Sequence, residues 1–215
     1  MKQLFLLVSC LAFSVQKPLP KPSALDSIID KFQKTWDETK SYQAKFKQSV
    51  VSKEMGGTPE ETTGQLIVQK PGKLRWESDT DKSTQILNGT RLISIQENLR
   101  RKTKTVDIYK DVTRGMDTKA LQFLAGRSDF RETYKIDLVK DSTSMAQLKL
   151  VPKTGTTTET YIAEIDKNSY FLRSLTTETA DSRVRLEFLD VKANIVIDEK
   201  SFDYTPSSTD IVNKQ

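Results

Sequence analysis

Between Tyr42 and Asn194 the chain breaks into short runs in which apolar and polar residues alternate, each run ending at a turn signal. Pro71-Gly72 follows GQLIVQK, Asn88-Gly89 interrupts STQILNGTRLISI, and Asp166-Lys167-Asn168 interrupts TETYIAEIDKNSYFLRSLTTE. Alternation of period two sends one face of a strand to a core and the other to solvent. The runs amount to about eleven strands at the regular spacing of an all-β meander. A sheet that long has to curl. The pattern therefore predicts a mainly β fold: a strongly curved antiparallel sheet or an open, incomplete β-barrel, with a few α-helices covering its apolar face.

Two segments have a helical period instead. In SALDSIIDKFQKTW, Leu25, Ile28, Ile29, Phe32 and Trp36 fall on one face, with Ser23 as N-cap and Asp26 three residues on. In MDTKALQFLAGR, Met116, Ala120, Phe123 and Leu124 share a face and Gly126 is the stop. Both stripes suit helices laid on a sheet. A membrane-surface helix is the alternative for the first.

Ahead of the first helix, MKQLFLLVSCLAFSVQ has Lys2 and then an apolar run from Leu4 to Phe13, too short to span a bilayer and fitting a secretory signal. Residues 1–14 are expected to be that signal and the Pro-rich 15–22 a spacer, leaving 23–215 as one domain. LVSC also reads as a lipobox, which would make Cys10 an acylated first residue. Cys10 is the only cysteine, so cleavage after Ser14 removes every thiol.

The composition excludes much chemistry. With 0 histidines there is no imidazole base and no histidine-ligated metal, and no GxxxxGK[ST] loop occurs. No cofactor and no metal are expected, and the chain does not read as an enzyme. Glu60-Glu61, Asp79/Asp81 and Asp198-Glu199 fall in turns or loops, whereas a glycosidase pair needs carboxylates at a fixed separation. The cationic stretch Arg100, Arg101, Lys102, Lys104 begins a strand and has no interleaved aromatic residues, which argues against nucleic acid. It reads as a solvated strand face, or as a docking patch for an acidic partner or anionic lipid headgroups. The formal charge of +5 is a mild excess that does not decide between them.

In GQLIVQKPGKLRWES, Leu66, Val68 and Lys70 share one strand face. Beyond the turn, Leu74 and Trp76 share one face, and Lys73, Arg75 and Glu77 the other, with Lys73 and Arg75 expected in water. Around Asn88-Gly89 a two-residue and a three-residue loop give opposite registers, so the inward residues there stay open. The tail KSFDYTPSSTDIV reads as extended, ending in Ser/Thr-rich coil.

The ordered set YQAKFKQSV, GQLIVQKPGKLRWES, ILNGTRLISI and SFDYTPSSTDIV resembles the outer-membrane lipoprotein carrier protein family (LolA), from about Leu25 to Val212. The resemblance implies a periplasmic, monomeric carrier whose half-barrel shields lipoprotein acyl chains in an apolar cavity. It implies an inner-membrane ATP-driven transporter complex as donor and an outer-membrane lipoprotein acceptor, with no nucleic-acid partner. Phe46, Leu66, Val68, Leu74 and Trp76 would then line the cavity. Leu25, Ile28, Ile29, Phe32, Trp36, Ala120, Phe123 and Leu124 would face it from the lid. Lys70 takes the place of an arginine that latches lid to sheet in the family, and Leu74 stands where the family often has Phe. RLISIQ lacks the Trp and Tyr that commonly follow the hairpin glycine. Alternative readings on the same half-barrel are a periplasmic sensor or regulator, and a carrier for other envelope lipids.

Overall fold

The computed structural model describes residues 23–54, 56–110, 129–154 and 159–215. The expected signal and spacer, residues 1–22, and the second helical run, with Met116, Ala120, Phe123 and Leu124, lie outside them.

Helix α1 (Ala24–Glu38) starts where its sequence says it should: the Ser23 hydroxyl accepts the Asp26 amide at 3.1 Å and donates to the Asp26 carboxylate at 2.6 Å. It stops at Thr39, whose hydroxyl donates to the Thr35 carbonyl at 2.7 Å. Between the caps Ile28, Ile29, Phe32 and Trp36 are buried on one stripe. A second, one-turn helix, α2 (Phe130–Thr133), leads into the later strands.

One twelve-stranded sheet carries everything else. Strands β1 (Ser41–Ser52), β2 (Glu60–Gln69), β3 (Lys73–Ser78), β4 (Ser83–Asn88), β5 (Arg91–Asn98) and β6 (Thr103–Tyr109) form one meander. Strands β7 (Tyr134–Asp141), β8 (Met145–Pro152), β9 (Thr160–Asp166), β10 (Leu172–Glu178) and β11 (Ser182–Ala193) form a second. The meanders join where β11 pairs antiparallel with β1, Phe188 opposite Phe46. With the last strand, β12 (Ile211–Lys214), the spatial order runs β12-β6-β5-β4-β3-β2-β1-β11-β10-β9-β8-β7, and the edges β12 and β7 do not pair, so the curved sheet stays open.

Two expectations are corrected here. The tail does not end as coil: after a 3₁₀ turn at Glu199–Phe202 it forms β12 (Ile211–Lys214). Strand β12 pairs parallel to β6, Val212 opposite Val106, so the sheet is not wholly antiparallel and has one strand more than the alternation suggested. The short apolar pair Ile211-Val212 is too brief a signal beside its Ser/Thr-rich approach.

The register left open at Asn88-Gly89 is that of a two-residue loop: Asn88 opposes Arg91 and Gly89 has φ +65°, the positive first central position of a type II′ turn. Leu87 and Leu92 thereby join the concave cluster under α1, and Ile86 and Ile93 the convex one.

Candidate functional site

The concave face holds the larger core. The side chains named from sequence converge there: Phe46, Leu66, Val68 and Leu74 from the sheet and Ile28, Ile29, Phe32 and Trp36 from α1 are buried in one cluster, with Leu25 and Trp76 half-buried at its margin. Trp76 stacks on Phe46 at a centroid distance of 4.0 Å. Gly64 makes that stack possible: a Cβ there would sit 2.7 Å from the Phe46 ring and 1.9 Å from the Glu77 carbonyl oxygen.

Sequence reasoning left out the other wall. Phe130 packs edge-on against Phe32 at 4.8 Å, and Leu148, Leu150, Ala163, Ile165, Tyr134 and Tyr161 complete the surface beneath α1. The alternations in SMAQLKLVPK and TETYIAEID were the available signal.

Among the described residues, the space between α1 and the sheet is closely packed. Two apolar openings lie between α1 and the sheet, each of about 10 Å³. One is bordered by Ile29, Phe32 and Leu148, the other by Trp36, Tyr42 and Phe188. Each has room for roughly one water molecule, far below an acyl chain. The hollow expected from sequence is, among the described residues, occupied by the helix's own side chains.

Polar contacts tie α1 down along its length. At its C-terminal end the Lys70 ammonium donates to the Trp36 carbonyl and lies 4.1 Å from the centroid of the Trp36 ring. A cation suits a helix C-terminus, where carbonyls point outward, and the face of an indole. Burial lowers the Lys70 pKa to about 8, against the opposing pull of the Asp37 charge. At mid-helix Lys31 reaches the Tyr170 hydroxyl at 3.2 Å. On the first turns Arg131 of α2 bonds Asp30 at 2.5 Å and Asp26 at 3.2 Å, and Gln33 accepts the Phe130 amide at 3.3 Å.

A second, smaller core lies on the convex face, where Phe202 packs with Ile86, Ile93, Ile95 and Val106. It overturns the expectation that Lys73 and Arg75 stand in water. Lys73 pairs with Glu199 and lies 5.9 Å from the Phe202 ring centroid, and Arg75 donates to the Ser201 carbonyl at 3.1 Å. Their alkyl stems flank this strap of tail while the charged heads find partners.

The candidate carboxylates do not assemble into an acid–base pair. Glu61 is bound to Lys47, Glu199 to Lys73 and Gln69, and Asp81 closes its own turn onto Ser78. Among the described ion-paired carboxylates, Glu164 on the convex side is the most enclosed, its side chain 13% exposed. Burial alone would raise its pKa, but Arg185 at 2.8 Å, Ser174 at 2.6 Å and Gln147 together hold it below the ordinary value. Such a group stays ionised and structural. Of the cationic stretch, Arg100, Arg101 and Lys102 form the turn before β6, whereas Lys104 lies in the strand and pairs with Glu97 at 3.0 Å.

An open, strongly curved sheet with one amphipathic helix laid in its concavity defines a half-barrel protein of the binding class. Residues 37–205 match the family model "Outer membrane lipoprotein carrier protein LolA", and the chain belongs to that family. It is 25% identical to the outer-membrane lipoprotein carrier protein of Chromobacterium violaceum, over 99% of both chains. It is 23% identical to that of Dechloromonas aromatica, over 97% of this chain and 96% of the other. Its fold is similar to that of an uncharacterized conserved protein from Thermus thermophilus, with TM-score 0.50 and 10% identity over 90% of this chain and 100% of that one.

Proposed function

We propose that this protein is a periplasmic carrier that takes lipoprotein acyl chains between α1 and the concave sheet and ferries them, as a monomer, from the inner to the outer membrane. The observation that carries the reading is the placement of α1: an apolar stripe that fills the concavity of a lipoprotein-carrier-family sheet. An incoming chain would replace that stripe. Withdrawing the four buried side chains of α1 forgoes about 2 kcal/mol each, and a methylene buried in their place returns about 0.8 kcal/mol. Roughly ten methylenes therefore restore what the helix gives up. Such an exchange yields the modest net affinity that a carrier needs in order to release its cargo.

Lys70 is the latch in this reading. It grips the last turn of α1 through one carbonyl and one ring face, contacts that a displaced helix can leave without stranding a buried charge. An ATP-driven transporter would supply the cargo and an outer-membrane acceptor would draw it off.

The test is binding of a triacylated lipopeptide to the purified protein, read by native mass spectrometry, with depletion in the producing cell as its counterpart. The reading expects a one-to-one complex, and lipoproteins accumulating in the inner membrane on depletion. Absence of both would end it. The filled concavity also favours a second reading, an envelope sensor on the same half-barrel. Depletion would then alter transcription while lipoprotein sorting stayed normal.

A further inference from the structure

The turn joining β5 to β6 has no role in the site beneath α1. It consists of Leu99, Arg100, Arg101 and Lys102, all exposed, with Leu99 66% accessible at its start. The Arg101 amide donates to the Asn98 side chain at 3.0 Å, and Lys102 takes a positive φ of 52°, so the turn has a defined shape. It also projects. On one side β4 begins at Ser83, level with Gln96; on the other β12 begins at Ile211, level with Thr105. The turn stands clear of both neighbouring strands. Among the described residues neither arginine nor Lys102 has an ion-pair partner.

Other exposed aliphatic residues lack this setting. Val139 is followed by Lys140 and Asp141, Leu189 by Asp190, and Val196 lies between two isoleucines with Asp198 beyond. In the described turn at Leu99, by contrast, an exposed aliphatic side chain is followed directly by three cations.

We propose that this turn is a membrane-contact tip: Leu99 enters the interfacial layer of an anionic phospholipid bilayer while Arg100, Arg101 and Lys102 sit among its headgroup phosphates. Shape selects the occupant. A four-residue convex tip cannot bury the roughly 800 Å² per partner of a specific protein interface. It has no aromatic side chain for stacking bases. A bilayer surface accepts a small convex insert without complementary shape, and each basic residue at an anionic membrane contributes about fivefold in partitioning. The contact is brief and reversible, which suits a carrier that must touch two membranes and stay on neither. Its biological purpose rests on the carrier reading; the contact itself does not.

The experiment is co-sedimentation of the purified protein with vesicles of phosphatidylcholine alone or mixed with phosphatidylglycerol, at low and high salt. Wild type is expected to bind only the phosphatidylglycerol vesicles and to be released by salt. Arg100→Ser/Arg101→Ser/Lys102→Ser should lower partitioning about a hundredfold, the product of three fivefold factors. Leu99→Ser should lower it several-fold with the salt dependence intact, and Leu99→Trp should add a blue-shifted emission on binding. Equal binding by wild type and the triple variant overturns the proposal. So does tighter retention, at the same salt, by an acidic polypeptide or duplex DNA than by the vesicles. Lipopeptide binding in solution, measured on the same variants, separates the two ideas. Retained lipopeptide binding with unaltered vesicle binding sinks the tip alone, and lost vesicle binding in a protein that never holds lipopeptide sinks the carrier alone.

Discussion

The two wings of the sheet carry their apolar residues in opposite ways. Across β8 to β11 the concave face is apolar, with Leu148, Leu150, Ala163, Ile165 and Leu186 under α1. The convex face there is charged, with Arg185 held between Glu164 and Glu187 at 2.8 Å each. Across β4 to β6 the convex face is apolar, with Ile86, Ile93, Ile95 and Val106 under the tail, while Gln85 and Ser94 share the concave face of Leu87 and Leu92. Each wing thus needs its own cover, and the covers differ in attachment. The tail is fixed by Phe202, 1% exposed, and by β12 joining the sheet edge. The polar contacts of the helix are side-chain ones, to Lys70, Tyr170 and Arg131, with no backbone ladder. In the carrier reading proposed above, the tail is the permanent cover and the helix the removable one.

Deleting a buried phenylalanine from each cover breaks the comparison most sharply. Phe202→Ala should cost about 4 kcal/mol in urea unfolding, because the cavity opens inside a strap that cannot leave without the sheet. Phe32→Ala, equally buried at 2%, should lower the global midpoint much less. The helix can detach while the sheet stays folded, so the loss appears as faster amide exchange in α1 and stronger binding of an apolar dye. Equal midpoint shifts with protected α1 amides would show that both covers are permanent.

Gly64→Ala probes the concave floor beneath the removable cover. The added methyl would meet the Glu77 carbonyl and the Phe46 ring, and should cost about 2 kcal/mol or more with loss of the Phe46–Trp76 stacking signal in near-ultraviolet circular dichroism.

This asymmetry also explains what could be read from the chain alone. Alternation suffices for the strands of the two meanders, though not for β12, and for α1 the cap Ser23 and the stripe ending in Trp36 suffice as well. It fails where both faces of a strand are apolar, as at Ile86-Leu87 and Leu92-Ile93, since the pattern then has no preferred phase. The strap was invisible because its partners are distant: Arg75 meets Ser201 and Lys73 meets Glu199, and nothing near either cation announces a cover. The walls given by Leu150, Ala163 and Ile165 were legible as strands, but that they face α1 follows only from β11 closing onto β1.

Lys70 sharpens the comparison by pH. Its pKa is about 8 beneath the helix and returns toward the ordinary 10.5 once the helix lifts. Between those values the open form binds more protons, so rising pH favours the closed form; below about 8 both forms are protonated and this group adds no slope. Affinity for an acyl probe should accordingly fall from pH 8 to 10.5 in wild type. In Lys70→Arg, whose guanidinium keeps its proton, the fall should flatten. Parallel profiles would remove Lys70 from the latch.

The smallest effect is expected at the other end of α1. Arg131→Gln breaks the bonds to Asp26 and Asp30, both of them solvent-exposed, and such pairs contribute little. Amide exchange in the first turns of α1 should quicken no more than a few-fold, with the Trp36 end unaffected. The Asp26 carboxyl is held below its ordinary 3.8 by the Ser23 hydroxyl and by Arg131. A depressed carboxylate stabilises the closed form at pH above 3.8 and loses that contribution only as pH falls through its lowered value, so the wild-type latch should be flat at neutral pH. A large opening of the whole helix in Arg131→Gln at neutral pH would mean that the helix is released from its N-terminal end, and that Lys70 is its hinge and not its catch.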